Sequence, residues 1–309
     1  MVTEGKSNIT FSDLTFEQTI GRGKFASVHR VTLCCRVHCE QSRTDRPDRL
    51  ADSLHILNGN SSGGGKDNHS LQMTLAVKTP EYRHAKPLYP PRDSSTSTDQ
   101  HVTDDATTPA LPPSVQILET LREVRALQAL NHPNIINFYG VCLAPRLCVV
   151  LELLDSNLAE VLRGPTAATA AAGGDGERRA LSPPQRVQVL QDVCRGLQFM
   201  HSQRFAHLDV KPHNILLREA AGGFAAKLAD FGTAVQLAEQ QVLTTPVGTS
   251  GYTAPEISLP GRYDARADVF SLAIVMWEVL VSPAEHTDAA STCAPLNPFA
   301  GKDLDEAAC

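Results

Sequence analysis

An aspartate, a lysine and an asparagine stand close together in His207-Leu208-Asp209-Val210-Lys211-Pro212-His213-Asn214, and Asp230-Phe231-Gly232 follows downstream. Two acids and an amide at that spacing can put one carboxylate beside a substrate hydroxyl. The second carboxylate and the amide then hold Mg²⁺ on the phosphates of a nucleotide. This is phosphoryl-transfer chemistry. Singly, an aspartate or asparagine in a loop is more often a turn or cap residue, so the ordered set carries the reading.

Composition narrows the classes. The 309 residues are 42% hydrophobic and 20% charged, enough to bury one large or two modest cores. A formal charge of -6 and a pI near 6.0 give no general attraction to nucleic acid or to an anionic membrane. The apolar run 269–281 is too short to span a bilayer and reads as a buried helix. Eight cysteines without regular spacing, and no secretory signal at the start, point to reduced thiols in the cytoplasm or nucleus. Cys34, Cys35, His38 and Cys39 lack the two separated ligand pairs of a structural zinc site, and Cys309 is not placed for prenylation.

Along the chain, residues 16–20 and 27–34 read as strands joined by a turn bearing Gly21 and Gly23. Residues 71–79 form an alternating strand that carries Lys78. Between them, 36–70 shifts to polar residues and glycine, too poor in apolar side chains to fold, and 80–113 and 164–180 read as two further insertions. Val115, Leu118, Leu121, Val124, Leu127 and Leu130 mark an amphipathic helix over 114–130. Strands at 135–141 and 147–152 follow, then a short helix at 155–163, a long one at 183–202 and the apolar segment. Strands with one helix, then helices with short strands, make an α+β chain of two unequal lobes with a ligand site between them.

The glycines of the first turn, taken alone, serve only backbone geometry. A dinucleotide fold is disfavoured because the segment runs into a strand rather than a helix. A lysine at a strand end is ordinarily solvated. Lys78 gains weight from a possible carboxylate partner on the 114–130 helix, Glu123 or Glu119.

Gly21-x-Gly23-x-x-Ala26-x-Val28, Leu75-Ala76-Val77-Lys78, Asp209 to Asn214 and Asp230-Phe231-Gly232 resemble the catalytic core of eukaryotic protein kinases, from Phe16 to about Phe299 apart from the three insertions, within a domain of 11–309. Lys211, with Gly248-Thr249 before Tyr252-Thr253-Ala254-Pro255-Glu256, resembles the serine/threonine type. Other segments resemble the Mos and tyrosine-kinase-like groups. The resemblance implies a small, mostly β lobe over about 11–152 and a mostly α lobe over about 155–309.

It further implies an ATP- and Mg²⁺-dependent enzyme acting on protein Ser/Thr hydroxyls. Asp209 would accept the substrate hydroxyl's proton or orient that hydroxyl, Lys211 would stabilise the phosphoryl group, and Thr249 would bridge them. Asn214 and Asp230 would hold metal, and Lys78, paired with Glu123, would hold the phosphates. Ile20, Gly21, Gly23, Val28, Ala76, Leu151, Leu154 and Leu216 would surround the nucleotide, whose adenine edge would meet the backbone of Glu152 to Leu154. Leu127, Phe138, His207 and Phe231 would stack as a spine.

Two departures are expected to matter. Leu208 replaces the arginine that normally receives an activation-loop phosphate, implying activity without phosphorylation of Thr244, Thr245 or Thr249. The last helices of the large lobe, with the arginine that pairs with Glu256, are missing from this sequence, so a nucleotide-binding scaffold made by truncation is the alternative to an enzyme. The insertions, which contain Thr79-Pro80 and Thr108-Pro109, also admit a docking role, with plain disorder the simpler reading.

Overall fold

The computed structural model describes residues 9–22, 26–36, 70–80, 113–164, 181–220, 223–237, 247–258 and 263–281. The three polar insertions lie almost wholly outside them, as do Gly23, His38, Cys39, Thr108, Thr244, Thr245 and residues 282–309. Two compact units emerge, one made of Met1–Leu121 with Asn137–Leu153 and the other of Arg122–Ile136 with Leu154–Cys309.

The first unit is a five-stranded sheet. β1 (Leu14–Arg22), β2 (Ala26–Arg36), β3 (Ser70–Pro80), β4 (Phe138–Cys142) and β5 (Cys148–Glu152) stand in the order β1-β2-β3-β5-β4, every neighbouring pair antiparallel. Alternation sends Leu14, Val31, Leu33, Met73, Leu75, Val77, Cys148 and Val150 into one buried cluster. The first three strands extend one or two residues beyond their sequence-predicted ends, because backbone pairing continues where hydrophobic alternation has stopped.

α1 (Pro113–Ala129) is divided between the units. Only its C-terminal half buries the expected stripe: Val124 and Leu127 are buried, whereas Leu118 and Leu121 are about half exposed. The expected strand over 135–141 also splits. Ile135 makes a parallel bridge to Leu228 in the second unit, whose amide donates to the Asn134 carbonyl at 2.9 Å. Only 138–142 joins the sheet.

The second unit holds β6 (Ser156–Asn157), α2 (Leu158–Arg163), α3 (Pro183–Ser202), β7 (Phe205–Ala206), β8 (Ile215–Ala220), β9 (Gly223–Leu228), β10 (Val235–Gln236), α4 (Pro255–Ser258) and α5 (Arg266–Val281). α2 starts later than expected because Asn157 is its cap, its Oδ1 accepting the Glu160 amide at 2.9 Å while Ser156 and Asn157 pair with β8. α3 begins on Ser182 with Gln185 reaching back to the Ser182 amide and Pro183 in the first turn, and its bounds match the expectation.

Gly196 lets α3 lie against the β9 side of this unit. A Cβ there would sit 2.8 Å from the Asn134 carbonyl oxygen and 2.9 Å from Leu228 Cδ1, an overpacking that typically costs about 1–3 kcal/mol. Asp192 on α3 accepts the Ala226 amide of β9 at 3.0 Å, which fixes that approach. Among the described residues, no helix is long and apolar enough to cross a membrane.

Candidate active site

In the first unit, register places the expected nucleotide residues on one face. Val28 pairs with Lys78 and Ala76 with Leu151, and positions 76 and 78 share a side of β3, so these four side chains stand opposite the buried cluster. Ile20 lies where the β1–β2 register shifts, and Gly21 pairs with Val28 just beyond. The Glu152 amide donates to the Asn137 carbonyl at 3.0 Å and its carboxylate accepts the Asn137 amide at 3.1 Å, so the expected contact of the Glu152 backbone with an adenine edge would fall to its carbonyl.

Lys78 belongs to this unit and Glu123 to the other. Glu123 is 3% exposed, whereas Glu119 is half-buried, so the expected choice between them falls on a carboxylate that has to be balanced inside protein.

The second unit assembles the catalytic set. Lys211 Nζ donates to Asp209 Oδ2 at 2.8 Å and to Thr249 Oγ1 at 2.6 Å, and Thr249 donates to Asp209 Oδ1 at 2.6 Å. Thr249 therefore bridges acid and lysine, as its position in the chain implied. Asn214 Nδ2 donates to the Asp209 carbonyl and to Oδ2, each at 2.9 Å. Three side-chain donors on a carboxylate with about four acceptor sites leave one site on Oδ1 for a further proton donor.

His207, fully buried, anchors the loop. Its Nε2 donates to the Ala229 carbonyl at 3.0 Å, and Nδ1 accepts the Asp209 amide at 3.3 Å. Its ring centroid lies 5.2 Å from that of Phe231. Of the expected spine, His207 and Phe231 touch here, Leu127 is buried in the same unit, and Phe138 belongs to the sheet. Leu216, on β8, and Leu154 are half-buried in this unit.

The residues fit a hard cation bound with phosphate oxygens. Both Asn214 amide hydrogens go to Asp209, which leaves Oδ1 as its free-facing oxygen ligand, and Asp230 is an exposed carboxylate held at φ 60, a strained backbone for a non-glycine residue. No group of three or more His, Cys, Asp or Glu among the described residues is arranged for a metal.

Several supporting residues escaped the sequence reading. Asp268, fully buried at the start of α5, accepts the His207 amide at 2.8 Å, the Leu208 amide at 2.7 Å and His201 Nε2 at 2.8 Å. Its role did not show in the sequence because its partners lie 60 to 67 residues away. The two polar residues that interrupt that run, Ser271 and Glu278, reach the segment bearing Thr249. Ser271 Oγ donates to the Tyr252 carbonyl at 2.7 Å, and Tyr252 Oη donates to Glu278 at 2.7 Å. Burial pushes the Glu278 carboxyl above its ordinary range, opposed by that hydroxyl and by Arg163.

Arg186 holds the other end of α5, donating to the Val279 carbonyl at 2.6 Å. The expectation of a buried α5 holds for one side only, since Val269, Trp277 and Leu280 are more than half exposed. Gly248 is required before Thr249. Its φ is 108, and a Cβ would lie 2.8 Å from Thr253 Oγ1 and 3.0 Å from the Leu208 carbonyl. His213 accepts from Arg163 Nη2 at 2.7 Å, and burial, with Arg163 and Lys211 beside it, holds the imidazole below its ordinary value, consistent with a neutral acceptor.

The protein kinase domain family matches residues 112–292, more than half of the chain, and the chain belongs to that family. It is 36% identical over 169 residues to a serine/threonine-protein kinase/receptor, R831, of Acanthamoeba polyphaga mimivirus, covering 53% of this chain and 9% of that protein. It is 37% identical over 164 residues to mitogen-activated protein kinase kinase kinase 7 of Bos taurus, covering 51% and 25%. To serine/threonine-protein kinase STY46 of Arabidopsis thaliana it is 32% identical over 164 residues, covering 52% and 26%. The chain thus spans between about a tenth and a quarter of the length of the curated relatives it matches. The two units, one mostly β and one mostly α, are the α+β lobes expected of the family.

Proposed function

We propose that this protein is a serine/threonine protein kinase that transfers the γ-phosphoryl group of ATP, with Mg²⁺, to Ser or Thr hydroxyls of protein substrates. The observation that carries the reading is the closed triangle of Asp209, Lys211 and Thr249. The open site on Asp209 Oδ1 accepts the proton of the incoming hydroxyl, and the Lys211 ammonium offsets charge on the phosphoryl group. Asn214 and Asp230 hold Mg²⁺, which when bound neutralises phosphate charge. Lys78, with Val28, Ala76 and Leu151 on the same sheet face, receives the nucleotide. The names of two of the relatives, the mimivirus and Arabidopsis proteins, support the serine/threonine class.

Activity without activation-loop phosphorylation belongs to the same reading. Leu208 is 3% exposed and packs in a buried cluster with Ala254 and Ile257, beside Val247, so an apolar contact occupies the place of a phosphate-binding arginine. Ordinary protein acceptors, with neither nucleic acid nor membrane involved, and a reducing cytoplasmic setting complete the proposal. Cys142, Cys148 and Cys194 are free thiols, Cys148 being pushed up to about 12 by burial and by Cys142 opposite it.

The test is transfer from labelled ATP to a mixed peptide substrate before and after phosphatase treatment of the purified protein. Label on Ser and Thr with turnover kept after treatment is expected. Label confined to Tyr, or activity lost after treatment, would overturn the corresponding part.

A further inference from the structure

A buried histidine outside the catalytic set ties together three strands of the sheet. His29 and Thr79 are each 5% exposed and lie on the face that carries the buried cluster. His29 Nδ1 is 3.2 Å from Thr19 Oγ1 on β1, and Nε2 is 3.1 Å from Thr79 Oγ1 on β3. The Thr79 hydroxyl donates to the Ser27 carbonyl at 3.5 Å. That direction sets the rest. Thr79 accepts from Nε2–H, and Nδ1 accepts the Thr19 hydroxyl, so the chain runs Thr19 to His29 to Thr79 to Ser27. The Phe16 ring meets the imidazole edge-on at 5.7 Å.

The position of this chain is the informative part. The backbone pairs His29 with Thr19 and with Val77, so the imidazole reaches diagonally past Val77 to Thr79. Just beyond Thr19 the β1–β2 register shifts and the hairpin runs toward its turn. Each of the three side chains adjoins, along the backbone, a residue of the nucleotide reading: Thr19 precedes Ile20, His29 follows Val28, and Thr79 follows Lys78. Strand alternation puts Val28 and Lys78 on the opposite face.

We propose that Thr19, His29 and Thr79 form a positioning latch that holds the β1–β2 hairpin in register with the strand bearing Lys78, so that hairpin amides and lysine meet the same nucleotide phosphates. The latch rests on the nucleotide-binding reading of the opposite face. It touches no substrate. His29 and Thr79 are buried, so removing either breaks bonds made in the interior, while Thr19 stands exposed at the end of the chain.

The test compares Thr79→Val, which keeps volume and loses the hydroxyl, with His29→Leu and with His29→Gln, whose amide can both donate and accept. Two readouts are taken: KM for Mg-ATP against kcat, and amide exchange of the hairpin without nucleotide. Thr79→Val and His29→Leu are expected to raise KM about fivefold, the equivalent of one hydrogen bond, with kcat within about twofold. Hairpin amides should exchange faster than the β4 and β5 amides of the same variant, and His29→Gln should stay near wild type. A fall in melting temperature with KM and hairpin exchange both unchanged would reduce His29 to a core residue and overturn the latch. Because exchange is read without ATP, it judges the latch by itself. Faster exchange in a protein that binds no ATP would overturn only the assignment of the opposite face.

Discussion

Replacing Asp209 by Asn is expected to lower kcat for phosphate transfer by about 10²–10⁴-fold, the usual range for a positioned general base, with KM for ATP changed only a few-fold. Three donors converge on this carboxylate, from Lys211, Thr249 and Asn214. They hold it in one orientation. An amide in its place accepts no proton, and it presents an N–H to groups that are themselves donors. Lys211, left without its counter-charge, also loses the contact that fixes it beside Thr249. Single-turnover transfer on a Ser peptide, with Mg-ATP affinity measured in parallel, separates lost chemistry from lost binding. Transfer by Asp209→Asn within about tenfold of wild type would contradict a base at this position.

The second large effect is on stability. Asp268→Ala removes the acceptor of the His207 and Leu208 amides, two backbone donors in the interior, together with the acceptor for His201. Each buried donor left unsatisfied costs about 1–3 kcal/mol, so the loop should lose about 2–6 kcal/mol. Leu208 adds to this, since its φ of 64 is costly for a leucine and is held in place by the bond its amide makes. At about 2–4 °C per kcal/mol for a chain of this size, the melting temperature should fall by at least about 4 °C, and activity should fall with it even at temperatures where the protein stays folded. A variant that melts with the wild type would show that His207 and Leu208 find other partners.

Chemistry was more legible in the sequence than architecture. Asp209, Lys211 and Asn214 fall within six residues, and Asp230 sits beside a glycine and a phenylalanine, so local spacing was enough to name them. Thr249 was placed by its neighbours in the chain, and the structure brings it to Asp209 and Lys211 across nearly forty residues. Helix α3 was bounded correctly because its first turn carries its own signals, Ser182, Pro183 and Gln185.

What failed to show were effects of tertiary pairing. The run 135–141 looks like one strand, and only the bonds between Asn134 and Leu228 divide it. The committed amide of Glu152 depends on Asn137, fifteen residues away. Asp268 lies at the edge of an apolar run and His29 is one polar residue within a strand, and the partners that give them meaning are 60 to 67 residues away for Asp268 and 10 and 50 residues away for His29. Leu118 and Leu121 carry helical periodicity without burial, since periodicity marks a face and not what covers it.

The most direct measurement is Mg²⁺-dependent transfer of labelled phosphate from ATP to a basic protein substrate, comparing this chain with Asp230→Asn and Lys78→Met. Transfer by the wild type and none by either variant is the expected result, because one substitution removes the proposed metal carboxylate and the other the phosphate-binding cation. A folded wild type that binds Mg-ATP and transfers nothing would contradict the kinase reading and leave a nucleotide-binding protein in its place.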